Sequence, residues 1–89
     1  LLPAYPNPFN PHTTLSVEVP GAAATVDLRI YDTLGRPVRS LLRGWLRSGT
    51  HPVVWDGRDD AGGQVAAGVY LCRLGLGRGT QLGRVVKLR

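Results

Sequence analysis

Methionine is absent, cysteine occurs once, and no apolar run is long enough to cross a membrane as a helix. Each shortage closes off a class of explanation. A single thiol, Cys72, cannot form an internal disulfide or a cysteine metal cluster. It reads as a small apolar residue buried in a strand; a reactive thiol would need exposure and basic surroundings. Two histidines, one cysteine and six acids leave little catalytic inventory. There is no nucleophile elbow, no phosphate-binding loop and no paired metal-ligating histidine. His51 and Cys72 could form a nucleophile–base pair only on adjoining strands beside an open pocket, so the chain reads as non-enzymatic. No heptads, capped helix or signal peptide are visible. The chain opens on Leu1-Leu2-Pro3 without a methionine. It reads as the C-terminal module of a longer protein, so a missing signal says nothing about where that protein goes.

Lysine is also scarce. The net charge of +5 comes from ten arginines and one lysine, Lys87, against six acids. The arginines are scattered from Arg29 to Arg89 and never interleave with aromatics, which argues against nucleic acid as the partner and for an arginine-rich solvated surface.

Turn formers are plentiful. Twelve glycines and seven prolines fall between short apolar runs, which suits strands joined by turns in a chain of 89 residues, enough for one domain. The organising stretch is Val53 to Leu74, which reads as strand, turn, strand. Asp56-Gly57 is a turn and hairpin signal, Gly57 to Gln64 is a polar loop, and Gly68-Val69-Tyr70 opens the next strand. Trp55 and Tyr70 are the expected aromatic anchors of one core. Upstream, residues 13–19 alternate with Leu15, Val17 and Val19 on one face, and residues 25–31 with Val26, Leu28 and Ile30. Asp32 to Arg36 is a tight connection, and residues 37–43 form a weaker strand with Val38 and Leu42 inward and Arg39, Leu41 and Arg43 outward. Residues 44–50 read as a loop carrying Trp45. His51, Val53 and Trp55 share an inward face, as do Tyr70, Cys72 and Leu74, which leaves Val69 and Leu71 outside. Gly75, Gly77 and Gly79 suggest a flexible turn. The closing strand, Gln81 to Leu88, has Arg84 and Lys87 on opposite faces, which a bulge near Gly83 would reconcile. Residues 1–12 hold an extended proline-rich edge segment in which Tyr5 and Phe9 are expected to plug the core. The sum is about seven short strands, the pattern of an all-β antiparallel sandwich.

Two features invite a functional reading. Asp56, Asp59 and Asp60 share a glycine-rich loop, as a hard cation would require, yet the spacing is not that of an EF-hand and no bidentate glutamate follows. The plain alternative is that they cap turns. Trp45, beside Arg43 and Arg47, is either a lid on the core or an exposed contact residue. Apolar residues on outer faces, Leu41, Val69 and Leu71, suggest that one sheet is covered by a partner or a neighbouring domain.

Taken in order, Tyr5-Pro6-Asn7-Pro8-Phe9-Asn10, Ile30-Tyr31-Asp32 with Gly35-Arg36, Gly49-x-His51-x-Val53-x-Trp55-Asp56-Gly57, Gly62 and Gly68-Val69-Tyr70 resemble the C-terminal sorting domain of type IX (Por) secretion cargo. They equally resemble the related immunoglobulin-like domain of FlgD-type flagellar hook-capping proteins; the opening hexamer favours the sorting branch. The resemblance implies an immunoglobulin-like β-sandwich with no catalytic residues and no cofactor. It implies a protein partner in the export machinery, transient association with the outer membrane, and passage through the periplasm to the cell surface or beyond. A sortase-like protease would cut before Leu1. The family's basic end matches Arg84, Lys87 and Arg89 loosely, and these three with Trp45 are the candidate partner-binding residues. Trp45 stands where the family tends to be polar. Other classes stay open: a structural module of a flagellar hook cap, a subunit of an extracellular filament or surface assembly in which residues 1–11 lend a strand to a neighbouring copy, or a carbohydrate-binding module, for which Trp45 is the one aromatic candidate.

Overall fold

Alternation of apolar and polar side chains produces six strands and no helix in the computed structural model, which describes residues 1–89. They are β1 (Thr13–Val19), β2 (Ala24–Asp32), β3 (Pro37–Leu46), β4 (Gly49–Trp55), β5 (Gly68–Leu76) and β6 (Gly79–Lys87). Two antiparallel sheets result, one in the order β1-β4 and the other β3-β2-β5-β6. The molecule is therefore an immunoglobulin-like sandwich with six regular strands where about seven were expected.

The period of two decides what is buried. Leu15, Val17 and Val19 of β1 face Val26, Leu28 and Ile30 of β2, Tyr70, Cys72 and Leu74 of β5 and Val85 of β6 across one continuous core. Trp55, fully buried at the end of β4, is its largest side chain. Its ring lies 5.3 Å from that of Phe9 and 5.4 Å, edge-on, from that of Tyr70, geometries that add to area burial. The polar tips are satisfied: Trp55 Nε1–H donates to the Arg58 carbonyl at 2.9 Å and the Tyr70 hydroxyl to the Ala66 carbonyl at 2.6 Å.

Residues 1–12 form a strap between the sheets. Tyr5 exchanges backbone bonds with Thr14 of β1, while Phe9 N–H donates to Val86 O and Phe9 O accepts from Leu88 N–H at 2.9 Å each. Asn7 extends the seam, its amide donating to Arg84 O and its side-chain oxygen accepting from Val86 N–H. The prolines remove backbone donors, and the asparagine amide replaces one. Residues 1–11 are thus bound to their own chain, the position a lent strand would have to leave. Only one of the two expected aromatic anchors is an anchor: Phe9 is 1% exposed and Tyr5 80%.

Other expectations are corrected by strand pairing. The Val53–Leu74 stretch is not a hairpin, because β4 and β5 belong to different sheets and the loop between them crosses the sandwich. β3 continues to Leu46, so Trp45 sits on a strand opposite Thr25, not in a loop. Two register shifts between β2 and β3 leave Leu41 and Val38 as extra residues. The bulge turns Leu41 back onto the core edge, where it packs beside Leu42 instead of facing out. Arg39, also expected outside, pairs with Ile30 and reaches the acidic loop. β5 runs on through Gly75, and β6 begins at Gly79 and pairs with β5 without a shift through Gly68↔Lys87. There is no bulge at Gly83.

Candidate functional site

The acidic loop after β4 is built by its own carboxylates. Asp56 Oδ1 accepts from Arg58 N–H at 3.1 Å and from Arg39 Nη1 at 3.2 Å. Asp59 Oδ1 accepts from the N–H groups of Ala61 and Gly63 at 3.0 and 2.9 Å. Asp60 Oδ1 accepts from Ser40 N–H at 3.0 Å. Arg39 also donates to Arg58 O, so one guanidinium ties the loop to β3. The three aspartates do not converge, and no group of three or more acidic, histidine or cysteine side chains could hold a metal ion. What the loop does is close the end of the sandwich over Trp55.

Gly57 explains the other occupant of that end. Its φ of +73° favours glycine, and a Cβ there would lie 2.8 Å from Lys87 Cε. The lysine stem fills this space, and its ammonium donates to Val65 O at 2.8 Å. Lys87 is 9% exposed. Of the basic trio at the chain end it is therefore an internal strut, removed from the partner-facing set, whereas Arg84 and Arg89 are exposed. Parity had put Arg84 and Lys87 on opposite faces, and the fold realises it literally.

Trp45 is 73% exposed on the outer side of β3 and is not a lid on the core. His51 and Cys72 are not brought together. His51 lies on β4 with a ring nitrogen 2.7 Å from Arg47 O. Cys72 is in the other sheet, and burial pushes its thiol up to about 11, the opposite of an activated nucleophile.

The outer face of β2-β5-β6 gathers charged residues from distant parts of the chain. Register sets Arg29 directly opposite Arg73, Asp27 opposite Arg43, and Leu71 between Tyr31 and Arg84. Arg29 Nε donates to Asp27 Oδ1 at 2.8 Å. That carboxylate, with the Tyr31 hydroxyl, pushes Arg29 above the ordinary arginine range. A shallow cavity of about 160 Å3 lies over Asp27, Arg29, Tyr31, Arg73 and Gly75. Val69 and Leu71, 38% exposed each, and Leu82, 74% exposed, are the exposed large apolar residues of this face. Arg29 and Arg73 each alternate with buried neighbours in the sequence, but only the pairing of β2 with β5 brings them together.

The family model described as the FlgD Ig-like domain matches residues 6–75. No curated protein matches the chain in sequence. Among solved structures, dimeric latent PorU from Porphyromonas gingivalis shares the fold with a TM-score of 0.77 at 24% identity, over 96% of this chain and 9% of that one. PorZ of the same organism, described as an essential bacterial surface component of the type-IX secretion system, matches with a TM-score of 0.64 at 27% identity, over 97% of this chain and 11% of that one. The chain thus spans about a tenth of the length of each.

Proposed function

The chain belongs to the FlgD Ig-like domain family, and on that premise we propose that it is a non-catalytic C-terminal module by which a larger bacterial protein is recognised by the type IX export machinery. The observation that carries this reading is the likeness, over nearly the whole chain, to a portion of PorZ. The exterior does the work. The core is closed, its one thiol is held protonated, and no base accompanies it. Exposed Trp45, Arg84 and Arg89 remain the partner-facing candidates, and Lys87 contributes by holding the end of β6 in place. The parent would pass through the periplasm and finish on the surface or outside.

Fusion of residues 1–89 to a folded reporter, expressed in a host with a working type IX system, is the test. Reporter on the surface or in the medium, and lost from there when the system is disabled, is the expected result. Reporter retained in the periplasm as a soluble, folded fusion overturns the reading. The family match itself favours one alternative, a structural module of a hook cap; that reading predicts periplasmic retention here and incorporation into flagellar hooks instead.

A further inference from the structure

We infer that the outer face of β2-β5-β6 is a docking surface for an acidic protein segment, with a partner carboxylate seated between Arg29 and Arg73. Like charges directly opposite on neighbouring strands destabilise a sheet, and this pair stands in the middle of the larger one. Asp27 engages Arg29 through one bond, and no carboxylate lies within ion-pair distance of Arg73, Arg43 or Arg84. The face therefore carries three guanidinium groups, Arg29, Arg73 and Arg84, against one carboxylate, and Arg43 of the adjoining β3 adds a fourth at its border. An arriving carboxylate meets the free fork of Arg73, which matches it in bidentate fashion, and relieves the repulsion from Arg29.

The occupant's chemistry follows from what surrounds the pair. The cavity, about 160 Å3, has room for a carboxylate group beside the two guanidinium groups that line it. Exposed Leu71, Val69 and Leu82 alternate with the arginines, a mixture that suits a peptide with acidic and aliphatic side chains; arginine and aromatic side chains are enriched in such interfaces. A polyphosphate backbone would gain nothing from the aliphatic residues. The inference stands apart from the export reading, since a chain that directs no export could still dock such a segment.

Titrating the 89-residue chain with a fluorescein-labelled peptide of alternating glutamate and valine, followed by anisotropy, tests it. The peptide should bind, and its glutamine counterpart should not. The Arg29→Gln/Arg73→Gln double variant should bind about tenfold more weakly or worse, the scale of one lost charge-assisted bidentate contact. Arg47→Gln/Arg78→Gln, which removes the same charge from the turns, should change affinity by less than about twofold, as screened distant charge does. Equal loss in both variants, or no binding, overturns the proposal. So does heparin binding more tightly than the peptide with the same dependence on Arg29 and Arg73, since the partner would then be a sulfated or phosphated polymer. Amide shifts induced by the peptide in the unsubstituted chain give the same answer without a folding risk: they should centre on Arg29, Tyr31, Leu71 and Arg73, and shifts confined elsewhere refute it.

Discussion

Gly57→Ala is the substitution that most directly tests how this sandwich closes. Alanine at φ +73° carries left-handed strain of roughly 1–2 kcal/mol. Its Cβ would approach Lys87 Cε to 2.8 Å, which real contacts do not allow. The lysine stem is flexible and would swing aside, and its bond to Val65 O would be lost with it. A hydrogen bond from a charged donor contributes about 1.5–3 kcal/mol. Stiffening of the unfolded chain returns about 0.4–1 kcal/mol. The net expectation is a loss of about 2–4 kcal/mol, a large fraction of the roughly 4–13 kcal/mol available to a chain of this size. The midpoint of thermal unfolding should fall by roughly 10–25 °C.

The assay is urea unfolding followed by tryptophan fluorescence, with Trp45→Phe in every variant because Trp45 is 73% exposed and would mask the buried Trp55. The decisive comparison is a cycle with Lys87→Ala. Without the stem there is nothing to collide with and no bond to lose, so Gly57→Ala should cost below about 1.5 kcal/mol, the backbone part alone. A coupling below about 0.5 kcal/mol, the limit of ordinary additivity, would refute the account. A cost below about 1 kcal/mol in the unsubstituted background would do the same, since αL strain alone should reach that figure.

Three further outcomes follow. Phe9→Ala should cost about 3–5 kcal/mol, because the ring is 1% exposed against Trp55, whereas Tyr5→Ala should stay within about 0.5 kcal/mol; equal costs in urea melts would show that the strap does not seat as described. The Cys72 thiol is raised from 9.0 to about 11 by burial, so between those pH values the unfolded chain loses its proton first, binds fewer protons than the folded one, and stability falls as pH rises. The loss should approach roughly 2–3 kcal/mol by pH 11, and its onset near pH 9 should vanish in Cys72→Ala when unfolding is measured across that range. Arg39→Ala should free the acidic loop, raising amide exchange across residues 56–63 while the β5 amides stay protected, and millimolar calcium should leave the melting midpoint of the unsubstituted chain where it was.

How much of this was legible depended on the range of the signal. The inward faces of β1, β2 and β5 were readable because a period of two is local and each apolar residue declares its side. Trp55 and Tyr70 could be matched as anchors for the same reason, but not assigned to separate sheets, because hairpin and crossover connections share the same Asp-Gly start. Tyr5 and Phe9 look alike in sequence, each flanked by prolines; their fates differ because the strap passes from the edge of β1 to that of β6 between them. Leu41 was misplaced by a bulge, which adds one residue and leaves no compositional mark. Lys87 was misplaced by the ordinary rule that lysine faces water. The compensating feature, a glycine thirty residues earlier that makes room for its stem, has no meaning until the two are adjacent.

That same arrangement limits how any partner can read the molecule. Strand edges are the easiest places for another chain to add itself. Here the outer edge of β6 is occupied by Asn7 and Phe9 of the strap. The start of β3 is occupied by Asp60, which takes Val38 O and Ser40 N–H. β4, half of the smaller sheet, loses a backbone donor at Pro52. Backbone addition is blunted at each of these edges, and recognition is left to side chains on faces. The face around Arg29 and Arg73 sets two guanidinium groups directly opposite each other with only Arg29 paired, so a partner bound there should dissociate progressively as salt rises past about 0.15 M, where the screening length falls below about 8 Å. A partner that adds a strand to an edge would hold instead by uncharged backbone bonds and resist the same salt. Measuring the salt dependence of any partner found for this chain therefore distinguishes face from edge before a complex is ever solved.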